Sequence, residues 1–451
     1  MPFQSICRIT LCFLLPLPSV FLLAGSGSVL SGRPFIIIWN APTSPCLSKF
    51  GVQLDVENFN ITINQNHTFL GNKVVIFYST HLGYYPYYDQ VGFPVNGGLP
   101  QNASVEKHLM KVMKDVKAVM FPEDFNGVAV VDWENWRPLW NRNWNGMVQY
   151  RLRSMKRVYR KHPTWSYIKL TRLAKTEFEN AAQSFMRRTL EMGRKLRPRG
   201  LWGFYGYPYC YNYGFSNHMS EYTGECLEAE VRRNDLLAWL WKASSALYPD
   251  IYLDRVLKMS EKVGKFVKHR VEEGLRISKQ VHERELPVLP YARIVYKYSM
   301  DFLTQEDLVQ TIGQSAALGA AGVILWGNGD YSASKESCLA VKSYLHDVLG
   351  KYTKNVTSAS FLCSQNQCSG KGRCVRNDSS SQTYLHLDPE IFTITGEPQD
   401  NGFRLEGASP NGNATQTWPH FRCQCYRGWE GEQCTKKQRR RRLFSKIDSP
   451  Q

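Results

Sequence analysis

Acidic residues are scarce in this chain. Its 451 residues hold 39 Asp and Glu against 56 Lys and Arg, a formal net charge of +17. Such an excess of cations disfavours basic partners and favours polyanions, either nucleic acid or acidic polysaccharide. Beyond residue 25 no apolar run is long enough to cross a bilayer, so no transmembrane segment is expected. No G-x-G-x-x-G follows the first apolar strand pattern, which speaks against a dinucleotide cofactor. No histidine falls at ligand spacing among the clustered cysteines, which speaks against zinc. Neither a metal nor another cofactor is expected.

What is present points to an exported globular protein. Hydrophobic residues make up 43% and aromatic residues 13% of the chain, enough for a sizeable core. Arg8, the apolar run LCFLLPLPSVFLLAG (11–25) and small residues after it form a secretory leader over 1–30. Six N-x-[ST] sequons agree with export, at Asn60, Asn66, Asn102, Asn355, Asn377 and Asn413. In that compartment acidic polysaccharide is the better partner and nucleic acid is not expected. Secreted or lysosomal residence and a monomer are expected. The end KKQRRRRLFSKIDSPQ carries no apolar tail, so no GPI signal is read there. It reads as a solvated end, with polyanion binding as the alternative.

Of twelve cysteines, Cys7 and Cys12 fall in the leader. The rest are Cys46, Cys210, Cys226, Cys338, Cys363, Cys368, Cys374, Cys423, Cys425 and Cys434, an even set that reads as disulfides. CSQNQCSGKGRC (363–374) and CQCYRGWEGEQC (423–434) have the Cys and Gly density of an EGF-like module with a polar insertion. Sequence alone leaves fifteen pairings of those six cysteines open.

Between residues 34 and 350 strand and helix patterns alternate. Strands are predicted at 35–39, 74–78, 128–133, 201–207, 250–253, 286–292 and 322–326, several almost wholly apolar, as when both faces are covered. Ser104 caps a helix whose apolar positions are Val105, Leu109, Val112, Met113 and Val116. A second helix runs through Leu173, Phe178, Ala182, Phe185 and Leu190 and stops at RPRG. Thr304 and Asp307 form a capping box ahead of a helix ending at GAAG. The alternation fits a β/α barrel or a doubly wound sheet. With no dinucleotide fingerprint, the barrel is favoured, with its chemistry at the carboxyl ends of the strands. The expected fold class is α/β, a TIM-like barrel over 31–355. An EGF-like region over 356–435 and a basic tail over 436–451 follow it.

The segment GVAVVDWENWRPLW (127–140) ends an apolar run with Asp132 and Glu134, flanked by Trp133, Trp136 and Trp140. On a strand the two carboxylates share a face, with backbones about 6.6 Å apart. Two carboxylates that close cannot both ionise easily, so one keeps its proton. A carboxylic acid kept protonated can donate to a leaving oxygen, the general-acid role in glycoside hydrolysis. Taken alone, the pair reads more simply as a capping acid beside a solvated Glu. The flanking tryptophans and the aromatics at other strand ends move the reading toward a sugar site.

FNGVAVVDWENWRPLWNRNW closely resembles the active-site segment of animal hyaluronidases. RPFIIIWNAPT, HLGYYPYYD, NGGLPQN, RPRGLWGFYGYP, SSALYPDIYL, LPVLPYARI and GAAGVILWGN extend the resemblance over roughly residues 33–434. It implies cleavage of β-1,4 bonds after N-acetylhexosamine in hyaluronan, with chondroitin as a second substrate. It implies a retaining, substrate-assisted mechanism with Glu134 as acid and base and Asp132 sharing its proton. Tyr205, Tyr248, Trp326 and Asn40 match substrate-contacting residues. Paired in the EGF manner, the bridges are Cys363–Cys374, Cys368–Cys423 and Cys425–Cys434, and the remaining four cysteines would staple the barrel, most simply as Cys46–Cys338 and Cys210–Cys226. The chain departs from the family at Tyr209, where P-D-C is common, and at Lys297, near where some members carry an acid. Both changes make the cleft more positive. Tyr209 is expected to contact a sugar without closing the cleft. Were it to obstruct the cleft, the chain would be a catalytically weakened hyaluronan-binding protein. An interaction protein working through the EGF-like region and tail is the remaining class.

Overall fold

Runs of four or five apolar residues become short parallel strands. In this computed structural model, residues 28–121, 123–216, 221–281, 285–395, 404–407 and 416–438 are described. Most of the leader, the Asn413 sequon and the tail beyond Gln438 lie outside them. The strands are β1 (Ile36–Asn40), β2 (Val74–Tyr78), β3 (Val128–Asp132), β4 (Leu201–Phe204), β5 (Tyr291–Ala292) and β6 (Gly322–Trp326). β2, β3 and β4 pair in parallel, as do β5, β6 and β1. Ile61–Thr62 adds to the other edge of β1.

The strand predicted at 250–253 is not formed. In its place, single bridges join Tyr205 to Tyr248, Leu247 to Val288 and Asp250 to Tyr291. Pro249, Pro287 and Pro290 supply no N–H, so no continuous ladder can run there.

Alternation decides what each strand buries. Ile36 and Ile38 of β1, Val74 and Ile76 of β2, and Val128 and Val130 of β3 point into one interior cluster. Tyr248, Leu289, Tyr291 and Ile324 complete it. Strands of both paired sets contribute, so the two sheets together enclose this interior. Gly203 makes room inside it, since a Cβ there would lie 2.4 Å from the Ala246 carbonyl oxygen and 3.0 Å from the Tyr248 ring. The alternate residues face outward. Val75, Phe77, Ala129, Val131 and Trp202 pack with Val112 and Val116 of α1 (Val105–Val119) and Phe178 and Phe185 of α3 (Tyr167–Leu196). Between them in chain order comes α2 (Val148–Lys161), which packs on α3. On the far side Ile37, Trp39 and Val323 pack with Val263, Phe266 and Val271 of α4 (Lys262–Gln280).

The predicted caps are partly formed. Ser104 accepts from Lys107 N and starts α1. Thr304 accepts from Asp307 N, but the Asp307 carboxylate is taken by Met259 N at 3.2 Å and by the Tyr296 hydroxyl, so the box stays half closed. Gly319, at φ +99°, ends the helix before GAAG in the left-handed region.

No strand pairing is found between β1 and β2 among the described residues, and a side chain spans that seam. Asn64, fully buried just past Ile61–Thr62, accepts from Val74 N at 3.0 Å and Lys73 N at 2.9 Å. Its amide donates to the Val74 carbonyl at 2.9 Å. The carboxamide thus acts as one peptide unit of a missing strand.

Five disulfides join Cys46–Cys338, Cys210–Cys226, Cys363–Cys374, Cys368–Cys423 and Cys425–Cys434. The boundary expected at 355/356 falls inside α5 (Gly350–Cys368), which runs unbroken across it. Beyond α5, β7 (Gly372–Arg376) pairs with β8 (Phe421–Cys425), and β9 (Trp429–Glu430) with β10 (Lys436–Lys437). Cys368, Cys374, Trp418 and Phe421 share a core with Val356 and the outer face of β1.

Asn64→Ala leaves the Val74 and Lys73 N–H groups without their acceptor, at about 1–3 kcal/mol per buried group. Under oxidising conditions the variant should unfold at clearly lower urea concentration than the parent. An unchanged midpoint would remove Asn64 from its role at the seam.

Candidate active site

Parallel strands deliver their carboxyl ends to one rim, and the chemistry-bearing residues gather there. Tyr78 and Asp132 end β2 and β3 as register partners, and Asn40 and Trp326 do the same on β1 and β6. Trp326 Nε1 donates to the Tyr78 hydroxyl at 3.0 Å, linking the two halves of the rim. The Tyr291 hydroxyl reaches Asn40 Oδ1 at 3.4 Å. An aromatic row follows: the Tyr205 ring stacks on Tyr252 at 6.1 Å, and Tyr252 on Trp326 at 6.0 Å. Arg293 lies over Trp326, 5.2 Å from the ring centroid.

The two carboxylates have different surroundings. Asp132 is largely withdrawn from solvent, and its Oδ1 is buried with no hydrogen-bond partner. Burial, then the charge of Glu134, raises its carboxyl to about 7, with Arg137 opposing. Glu134 lies just past the strand with its side chain 60% exposed. Arg137 donates to the Glu134 carbonyl at 2.8 Å and approaches its carboxylate at 3.5 Å. One proton is therefore held by the inner acid while the outer one faces the cleft. Burial, with Tyr252, Asp250 and Glu134 adding to it, pushes the Tyr205 phenol well above its usual range, so it stays a neutral donor.

Other aromatics of these segments lie behind or beneath the rim. Trp133, Trp136 and Trp140 are not sugar platforms; they are buried in the core behind β3. Trp133 stacks on Tyr85 at 4.5 Å, and Trp136 Nε1 donates to the Pro86 carbonyl at 2.7 Å. They fix the loop and the strand end that present the acids. Tyr248 is also wholly buried, and its hydroxyl donates to the Leu201 carbonyl beneath the rim. The half-buried aromatic of the same stretch is Tyr252, which the sequence reading missed. Its signal was parity, since it lies four residues past Tyr248, beyond the Pro249 interruption. Tyr78, Arg137 and Arg293 were also missed; only the strand ends reveal them.

Tyr209 is clamped. Its ring lies between the Arg137 and Arg142 guanidiniums, 5.4 and 5.1 Å from its centroid. Asn234 pins its backbone from both sides, at 3.3 Å to the N–H and 2.7 Å to the carbonyl. Arg142, nearly buried, also pairs with Glu230 at 3.2 Å. Tyr209, Arg137 and Arg142 line a cavity of about 350 Å³ together with Trp144, Tyr211 and Tyr213. Lys297 lies farther along, 5.3 Å over the Tyr213 ring. Of the sequons, Asn60, Asn66, Asn102 and Asn377 are exposed. Asn355 is half-buried on α5, and its Oδ1 accepts from Leu387 N at 3.0 Å.

A proton-holding acid beside an exposed carboxylate, walled by aromatic rings at the carboxyl ends of parallel strands, defines a glycoside hydrolase. Comparisons with known proteins narrow the class. The profile of the hyaluronidase family matches residues 24–438. A hyaluronidase of Crotalus adamanteus is 43% identical over 433 residues, covering 95% of this chain and 96% of that one. Hyaluronidase-1 of Mus musculus is 45% identical over 411 residues, covering 91% and 88%. Bee venom hyaluronidase, solved in complex with a hyaluronic acid tetramer, superposes with a TM-score of 0.66 at 34% identity, covering 71% of this chain and 98% of that one. The chain belongs to the hyaluronidase family.

Asp132 binds its proton more tightly when folded, so stability falls as pH rises from about 3.8 to about 7 and levels off above that. Asp132→Asn abolishes this loss. Unfolding free energies should match the parent near pH 4 and exceed it above pH 7 by up to about 4 kcal/mol. Parallel pH–stability curves for the two proteins would show that Asp132 is not desolvated.

Proposed function

We propose that the protein cleaves internal β-1,4 N-acetylhexosaminide bonds of hyaluronan, and of chondroitin, by retaining, substrate-assisted catalysis. The observation that carries this reading is the split between the acids: a proton-holding Asp132 inside and an exposed Glu134 at the cleft. Glu134 gives a proton to the glycosidic oxygen as the bond from the anomeric carbon to that oxygen breaks. The substrate's own acetamido oxygen attacks the same carbon from the opposite face, forming a cyclic oxazolinium. Water then adds to the anomeric carbon, Glu134 takes its proton, the ring reopens, and the configuration is retained. Asp132, sharing its proton with Glu134, orients the acetamido group. Tyr205 and Tyr252 supply neutral hydroxyls, and Trp326 and Asn40 complete the wall. No protein nucleophile is needed. The remaining nearby carboxylate, Asp250, pairs with Arg270 at 2.9 Å.

The same reading takes the enclosed strand ring as a distorted β/α barrel and the C-terminal disulfide region as EGF-like. It takes the mature protein as a monomer moving through the secretory pathway. Among the described residues no helix is long and apolar enough to cross a membrane, and the excess of cations suits a polyanionic substrate.

Glu134→Gln keeps the shape but removes the transferable proton, so turnover in a size-resolved hyaluronan digest should fall by at least ~10²–10⁴-fold. Near-parental cleavage by a normally folded variant would exclude Glu134 as the acid.

A second reading rests on Tyr209, whose ring stands where the family usually has aspartate. If it blocked the acetamido pocket, the parent would be almost inert and Tyr209→Asp would raise activity by orders of magnitude. The two flanking guanidiniums hold the ring in the wall, which favours an open pocket. On that view Tyr209→Asp changes rate and pH profile moderately. One hyaluronan digest of both proteins separates the outcomes.

A further inference from the structure

Cations that the proposed chemistry does not use gather at the other end of the strands. A groove of about 800 Å³ lies between the segments leading into β1, β5 and β6 and the C-terminal module. Lys279, Arg373 and Arg427 line it, with Tyr426 between them and Gln438 at its rim. Lys279 and Arg427 are exposed. Among the described residues lining the groove the acid is Glu285, whose carboxylate is occupied by Gln424 Nε2. Arg373 donates to the Gly319 carbonyl at 2.9 Å and lies 5.5 Å over the Tyr426 ring, which locks the module against the helix end before β6.

The hairpin β9–β10 extends this surface. Trp429 has Lys371 Nζ 3.8 Å and Lys437 Nζ 5.9 Å from its ring centroid. Lys436 and Lys437 are both exposed, with Glu430 as the cross-strand partner of Lys436. Gln438 N donates to the Gly428 carbonyl at 3.0 Å, which ties Gln438 to this rim.

We propose that this groove and its Trp429 ridge form a second binding site for an acidic polysaccharide, separate from the cleft. Ammonium and guanidinium groups spaced around an indole and a phenol match a chain that repeats anionic groups between sugar faces. The aromatic faces take pyranose C–H groups, and the cations take carboxylates or sulfates. The surface is a groove, which fits an extended polymer better than a flat lipid surface. The Asp132 cleft opens at the carboxyl ends of the strands, whereas this groove lies at their amino ends. A polymer held here leaves the cleft free, so the site anchors the enzyme to a polyanionic matrix while another chain is cut.

The test uses the full secreted chain with Lys279→Ser, Arg427→Ser, Lys436→Ser and Lys437→Ser combined. All four residues are exposed and none belongs to the proposed catalytic machinery. A heparin dodecasaccharide is the probe, titrated at physiological salt. Four lost surface charges should weaken binding about tenfold or more. Cleavage of a short hyaluronan oligosaccharide should stay at the parental rate. Lys436→Arg with Lys437→Arg should bind the probe like the parent. Glu134→Gln should also bind like the parent, so the readout stands apart from the acid assignment. Unchanged heparin affinity in the four-site variant would overturn the proposal. So would equally tight, equally charge-dependent binding to single-stranded RNA or to phosphatidylserine vesicles, because the surface would then not select polysaccharide.

Discussion

A ring of parallel strands has to satisfy every backbone N–H and C=O along its seams, and here one seam is spanned by a side chain. The Asn64 carboxamide pairs with the backbone at Val74 just as a neighbouring strand would. Elsewhere in the ring, prolines reduce pairing to isolated bridges. What keeps the ring in register is therefore ladder pairing on two sets of strands plus an interior filled by Ile36, Val74, Tyr248, Tyr291 and Ile324. All rim residues inherit their positions from that pairing and packing. Asp132 meets Tyr78, and Asn40 meets Trp326, only because the strands end together.

The rim in turn explains why a costly acid is tolerated. Asp132 follows a run of buried valines, so its carboxyl meets apolar surroundings on one side and Glu134 on the other. A desolvated carboxyl resists ionisation, and its proton stays available near neutral pH. Behind the strand, Trp133 and Trp136 are packed so closely that the acids cannot shift far without opening the core. The tryptophans thus serve the site by rigidity rather than by touching sugar. Arg137, mostly buried, donates to the Glu134 carbonyl and steadies the backbone that carries the outer acid.

Charge is distributed over both ends of the ring. At the carboxyl ends, Arg137 and Arg142 are engaged with Tyr209 and with acids, so their positive charge is fixed in the wall of the cleft. At the amino ends, the exposed lysines and Arg427 remain open to solvent beside a module held on by α5, by three disulfides and by Arg373.

Much of this was legible in the residues themselves. Apolar runs of four or five residues mark five of the strands to within a residue or a few, and helical spacing marks α1 and α3, because local alternation is set by backbone geometry. The adjacency of Asp132 and Glu134 was equally readable, since two residues apart on a strand means one face. What sequence could not decide was which aromatic faces the cleft. Trp133, Trp136 and Tyr248 carry the same apolar signal as Trp326 and Tyr252, yet the former are core and the latter wall. Nor could it show that Pro249, Pro287 and Pro290 coincide at one seam, or that Asn64 spans another. Likewise, Lys279 and Arg427 lie 148 residues apart in the chain and become neighbours only in the fold. Local chemistry is written in short segments, but burial and juxtaposition are properties of the folded chain, and only tertiary packing assigns each side chain to core, cleft or groove.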